Sequence, residues 1–202
     1  MQPRQTDHMA DPVGSASAWN LANALTVLRL ALVPVFVLVA VPGFSGDDDQ
    51  LLAIATAVFL GAAFTDLIDG EIARRRHLIT TFGKVADPIA DKALTGAALI
   101  VLSAFDQLPW WVTVVIIGRE VLVTVLRLWV IQHGVIPASR GGKLKTALQI
   151  TAISLYLLPL PADADVLPIT VMALAVLVTV VTGFDYVARA LRLRRAALAV
   201  QA

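Results

Sequence analysis

Apolar residues in this chain run in long unbroken blocks instead of alternating with polar ones. Six such stretches can be read, at 21–41, 51–65, 86–105, 110–131, 144–160 and 166–187. Each approaches the roughly 20 residues that a helix needs to cross a bilayer. The second is short unless its helix continues through the polar run that follows to Arg74, and that continuation is expected. Polar breaks fall at Pro42-Gly-Phe-Ser-Gly-Asp-Asp-Asp49, Asp106-Gln-Leu-Pro109 and Pro159-Leu-Pro-Ala-Asp-Ala-Asp165. The pattern predicts an all-α integral membrane protein with six transmembrane helices. Residues 1–18 form a polar tail, 19–190 the membrane domain and 191–202 a basic C-terminal tail. Ser17-Ala-Trp19-Asn20 is expected to open a short interfacial helix, with Trp19 at headgroup depth. The first span has no compact small-residue cleavage site and is read as retained.

Composition agrees with the pattern. Hydrophobic residues make up 58% of the 202, and the mean hydropathy is +0.79, beyond the range of ordinary soluble domains. The absence of cysteine removes disulfides, thiolate metal sites and cysteine nucleophiles. A net charge of +1 is uninformative, whereas the placement of charge is not. The three breaks named above carry no lysine or arginine. Basic residues sit at the opposite ends of the spans: Arg74, Arg75, Arg76 and Lys84; Arg140, Lys143 and Lys145; and Arg189, Arg192, Arg194 and Arg195. The positive-inside rule puts those ends, and both termini, in the cytoplasm. The basic tail is read most simply as an anchor on anionic lipid.

The chemistry-bearing run is Asp66-Leu-Ile-Asp69-Gly70-Glu-Ile-Ala73-Arg74, followed by Gly83, Asp87 and Asp91. On helices, the i,i+3 spacing of Asp66 and Asp69 and the i,i+4 spacing of Asp87 and Asp91 each define one face. A short turn makes the two helices antiparallel, so the pairs can oppose one another. Four carboxylates at that distance repel unless cations neutralise them or some protonate. Oxygen-only donors suit a hard divalent ion, and two Mg²⁺ ions, with Mn²⁺ as the alternative, satisfy the cluster. Helix capping explains one aspartate at an N-terminus, not four at this spacing. Gly70 and Ala73 permit close approach of a backbone or a flat ring, although small residues also serve ordinary membrane-helix packing. Arg74 can reach a phosphate bidentately. Arg75 and Arg76 read as plain positive-inside residues, and His8, His77 and His133 receive no role.

This D-x2-D-G-x2-A-R-x8-G-x3-D-x3-D run resembles the signature of the CDP-alcohol phosphotransferase family, with every position filled. The likeness extends from about Asn23 to Thr146. It implies an integral membrane enzyme that moves a phosphatidyl or similar group from a CDP-linked donor to an alcohol, releasing CMP. It also implies that Asp66, Asp69 and Asp87 hold the metals, and that Asp91 takes the proton of the attacking hydroxyl while touching a metal. Gly70, Arg74 and Thr80 resemble residues that hold the CDP moiety, with Ala73 and Gly83 beside them. Many members are dimers, so a homodimer is expected.

The acceptor must be read elsewhere. Arg119 lies deep in the fourth span beside Glu120, with Arg127 two turns on. A deep arginine suggests function, and an intramembrane ion pair with Glu120 is the plainer alternative. Ser139-Arg140-Gly-Gly-Lys143-Leu-Lys145-Thr146 reads as a cationic, hydroxyl-bearing loop just before a helix, suited to a phosphate. Asp87-Pro-Ile-Ala-Asp91-Lys92, Arg119-Glu120 and Gly142-Lys143-Leu-Lys145-Thr146 are similar to the branch of the family that joins CDP-diacylglycerol to sn-glycerol 3-phosphate. So is the opening run Asn23-Ala-Leu25-Thr26-Val-Leu-Arg29, which adds Asn23 and Thr26 to the donor site. Ala22 departs from the proline usual there, relaxing the entry into the first helix without removing a chemical group. The acceptor phosphate is then expected on Arg119, Arg127, Ser139, Arg140, Lys143 and Lys145. Inositol phosphate would use the same basic pocket. Phosphatidylglycerol, the acceptor in cardiolipin formation, would leave the lysines unexplained. A cation or solute transporter would spread its acids through the membrane, whereas these gather at one level.

Overall fold

The computed structural model describes the backbone of residues 21–76, 81–130, 140–161 and 164–201, and the side chains of 24–65, 92–126, 141–161 and 164–194. Within these residues the chain is all-helical: α1 (Leu21–Gly46), α2 (Asp49–Arg76), α3 (Thr81–Ala104), α4 (Trp110–Val130), α5 (Arg140–Leu157) and α6 (Val166–Gln201). As expected, α2 carries on past Thr65 through the aspartate motif. The tail at 1–18 and the interfacial helix at 17–20 lie outside the described residues.

Several ends differ from the sequence reading. α1 continues through Pro42 to Gly46, leaving only Asp47 and Asp48 between α1 and α2. Pro42 has no N–H to donate to the Leu38 carbonyl one turn back, and beyond it the Ser45 hydroxyl donates to the Val41 carbonyl at 2.8 Å. Asp47 adopts a positive φ of 52°, a conformation that aspartate tolerates better than most side chains. The Asp48 carboxylate accepts from the backbone N–H groups of Gln50 and Leu51 at 2.9 and 3.1 Å, capping α2. α3 begins at Thr81, one turn and more before position 86, so Asp87 and Asp91 lie in its second and third turns. α6 runs on to Gln201 through the residues read as a tail. That extension is rich in alanine, leucine and arginine, all strong helix formers, and Arg189 pairs with Asp185 one turn back at 2.9 Å.

α1 packs on α2 and α3, while α4 and α5 pack on α6; contacts of α2 with α5 and of α3 with α4 and α5 join the two halves. The core between them is built from Phe36, Ala40, Ala55, Phe59, Ala62, Ala98, Leu99, Leu102, Ala152 and Ile153. The rings of Phe36 and Phe59 meet at 5.9 Å with a 52° tilt, a favourable edge-biased geometry. The alanines let backbones approach closely, the usual device where lipid cannot drive helices together. Outward-facing positions are also apolar. Leu38 and Phe184 are each 73% exposed, and Phe64, Val114, Val125, Val166 and Leu177 are exposed as well. Apolar residues on both faces mark a surface solvated by lipid. Helical segments Ala24–Gly46 and Val166–Arg194 are long and apolar enough to cross a membrane, and Asp49–Thr65 and Lys92–Ala104 are shorter apolar segments.

Candidate functional site

The signature residues occupy two consecutive helices that pack together. Asp66, Asp69, Gly70, Ala73 and Arg74 fall in the final turns of α2, and Gly83, Asp87 and Asp91 in the first turns of α3. Residues 77–80 separate the two helices in sequence. The side chains of these eight residues, and Thr80 entirely, lie outside the described residues. By sequence position, Asp66 and Asp69 are three residues apart on α2, and Asp87 and Asp91 four apart on α3. Of the remaining donor-site candidates, Thr26 is fully buried in α1. Asn23 lies in the same helix, its side chain outside the described residues. Arg29, one turn beyond Thr26, is also fully buried.

A better-described cavity begins at the residue after Asp91. Lys92 and Thr95 of α3, Glu120 of α4, and Lys145, Thr146 and Gln149 of α5 form the polar wall of a cavity of about 60 Å³, floored by Leu99 and Ile116. Residues of α3, α4 and α5 thus meet at this cavity, whose lining mixes polar groups with apolar side chains. Glu120 organises it. Its Oε1 accepts from Arg119 Nη1 at 3.0 Å and from the Lys145 ammonium. Arg119 Nη2 donates to Thr182 Oγ1 of α6 at 3.1 Å, while its buried Nε has no partner among the described residues. Gln149 Nε2 donates to Thr179 Oγ1 at 3.1 Å, a second polar tie between α5 and α6.

Charges this deep are costly unless they are paired. Among the described residues, the pocket is lined by Lys92, Lys145 and one carboxylate, Glu120, which Arg119 also pairs with although it does not line the pocket. Among the described residues, cations therefore outnumber carboxylates at this cluster. The ion pair foreseen as the plainer reading of Arg119 is present.

One expectation is corrected. The run from Arg140 to Thr146 is not a flexible loop ahead of a helix, because α5 starts at Arg140. Gly141 and Gly142 lie in its first turn, and Thr146 donates its hydroxyl to the Gly142 carbonyl at 3.2 Å. Helical backbone separates the two lysines by face: Lys143 is exposed, whereas Lys145 is only 6% exposed. The structure thus brings Lys145 and Arg119 together through Glu120 and leaves Lys143 apart. Ser139 and the side chains of Arg127 and Arg140 lie outside the described residues. Sequence reasoning missed Glu120 as the hub, and with it Lys92, Thr95, Gln149 and Thr182. The available signal was a lone acid beside a deep arginine, which had to find a second cation somewhere in the bundle.

Residues 19–181 match the family model described as CDP-alcohol phosphatidyltransferase. The chain belongs to that family. A protein of Mycobacterium tuberculosis (strain ATCC 25618 / H37Rv), described as a probable phosphatidylglycerophosphate synthase, is 55% identical over 179 residues, covering 89% of this chain and 85% of its own length. The CDP-diacylglycerol–glycerol-3-phosphate 3-phosphatidyltransferase of Bacillus subtilis (strain 168) is 43% identical over 180 residues, covering 83% and 93%. Its namesake in Rickettsia prowazekii (strain Madrid E) is 36% identical over 172 residues, again 83% and 93%. Every candidate residue from Asn23 to Lys145 falls inside the CDP-alcohol phosphatidyltransferase match, so the signature and the cationic pocket belong to one family domain.

Proposed function

We propose that this chain transfers the phosphatidyl group of CDP-diacylglycerol to sn-glycerol 3-phosphate, yielding phosphatidylglycerophosphate and CMP. The observation that carries the reading is a cavity lined by Lys92 and Lys145 that starts one residue after the last signature aspartate. A donor diphosphate on the aspartate side and a phosphate-bearing acceptor on the lysine side would then meet near Asp91. The names of the relatives favour glycerol 3-phosphate over inositol phosphate or phosphatidylglycerol.

Asp66, Asp69, Asp87 and Asp91 would hold two Mg²⁺ ions, whose chemistry is to polarise the diphosphate and offset its charge. Asp91 accepts the proton of the acceptor hydroxyl as that oxygen bonds to the phosphorus bearing the diacylglycerol. The bridging P–O bond to CMP breaks in the same displacement, so no covalent enzyme intermediate is needed. Gly70, Ala73, Arg74, Thr80 and Gly83, with Asn23 and Thr26 of α1, bind the CDP moiety. Arg119 and Lys145 hold the acceptor phosphate, and Arg127, Ser139, Arg140 and Lys143 line its route from the cytoplasm.

All six helices would span the cell membrane, with both termini and the active site on the cytoplasmic side. The exposed apolar positions on α1, α2, α4 and α6 support lipid contact, and the basic residues confined to one set of helix ends support the orientation. A homodimer is part of the proposal. Purified protein in detergent or lipid, given CDP-diacylglycerol and Mg²⁺, should release CMP with sn-glycerol 3-phosphate. It should release almost none with free glycerol, inositol phosphate or phosphatidylglycerol. Chelation with EDTA should abolish the release and added Mg²⁺ should restore it. A clear preference for inositol phosphate would overturn the acceptor assignment, and turnover persisting in EDTA would overturn the metal assignment.

A further inference from the structure

We infer that Glu120 is a positioning residue for the acceptor phosphate, holding Lys145 at the cavity wall and Arg119 against α6 through one carboxylate. The inference rests on the acceptor reading above and adds to it the group that builds the pocket. A carboxylate in an anion site is at first sight misplaced, since it repels the guest. The geometry gives its purpose. Lys145 has a flexible four-carbon stem, and an acceptor for its ammonium fixes where that stem lies in a buried position. Glu120 Oε1 is one such acceptor and takes Arg119 Nη1 with the same atom.

α6 completes the seat. Thr182 Oγ1 accepts from Arg119 Nη2 at 3.1 Å, and the Thr182 hydroxyl itself donates to the Val178 carbonyl at 2.7 Å, so its lone pairs are held toward the guanidinium. Gly183 leaves room for the arginine stem: a Cβ there would stand 3.1 Å from Arg119 Cγ and 3.5 Å from Nε. The last helix carries none of the signature, yet it determines where the arginine lies. Two cations on one shared carboxylate are ordered before any phosphate arrives, which lowers the ordering cost of binding.

A double-mutant cycle on the full-length protein tests this. Lys145→Ala and Glu120→Ala should each raise the KM for sn-glycerol 3-phosphate about tenfold. The pair together should be no worse than either alone, because both remove one interaction. The KM for CDP-diacylglycerol should stay within about twofold, which a merely structural lesion would not respect. Glu120→Gln keeps a carbonyl oxygen as acceptor and should recover part of the loss. It also preserves side-chain volume, so a Glu120→Gln/Lys145→Gln cycle replaces the alanine cycle should the latter fail to fold. Thr182→Val should raise the same KM by a smaller factor. Additive effects of Glu120 and Lys145, or equal rises in both substrates' KM, would overturn the role of Glu120. If Lys145→Ala itself left the acceptor KM unchanged, the acceptor pocket would be the failed premise, not the positioning.

Discussion

Single residues in this protein act through what surrounds them. Asp91 and Lys92 are neighbours in sequence, yet one closes the signature and the other opens the cationic cavity. Asp91→Asn keeps size and hydrogen-bonding capacity while removing the basic oxygen. It should cut the rate of CMP release by about 10²–10⁴, the usual contribution of a positioned general base. Binding of CDP-diacylglycerol, measured by equilibrium titration, should be largely retained. Turnover near the wild-type rate in this variant would remove Asp91 as the base. Glu120 shows the opposite logic, since its carboxylate meets two cations from different helices. Removing one partner of such a buried pair exposes the rest to an uncompensated charge, a loss of about 3–5 kcal/mol in general.

At the scale of elements, short connections and close approaches decide how the helices meet. Gly43, near the end of α1, faces Leu52 of α2: a Cβ would lie 2.9 Å from Leu52 Cδ2 and 3.2 Å from its backbone nitrogen. The side-chain atom can shift, whereas the backbone nitrogen of a helix cannot do so without moving α2. Gly43→Ala should therefore destabilise the α1–α2 hairpin by about 1–3 kcal/mol, read as a lower unfolding temperature in detergent. An unchanged temperature would show that α2 yields at little cost. Polar ties serve the same end between α3 and α4. Ser103 Oγ and Thr113 Oγ1 are 2.7 Å apart, and the Thr113 hydroxyl also reaches the Leu99 carbonyl at 3.2 Å. Such bonds are satisfied inside the bundle and hold register where apolar packing alone would allow sliding.

At the scale of the whole molecule, the proposed topology makes a simple demand. The chain has no cysteine, so single substitutions report position without background. Ser45→Cys lies at the exposed end of α1, on the acidic side, and Arg192→Cys on the exposed basic stretch of α6. In intact cells, a membrane-impermeant maleimide should label Ser45→Cys and should reach Arg192→Cys only after permeabilisation. The reverse pattern would invert the orientation and place the aspartates away from cytoplasmic glycerol 3-phosphate.

Long apolar runs, the confinement of basic residues to one set of ends and the aspartate signature are local properties, and local properties survive in a linear string. They were enough for an all-helical chain, for α2 continuing through its motif, and for the family. Where α1, α3, α5 and α6 begin and end was less legible, because packing carries α1 past Pro42 and α5 back through Gly141 and Gly142 against their local preferences. The pocket itself could not be read in one dimension. Glu120 and Lys145 are 25 positions apart, and Arg119 and Thr182 are 63 apart. Only the folding of α4, α5 and α6 against one another, where buried charges must find partners, decides which cations share a carboxylate.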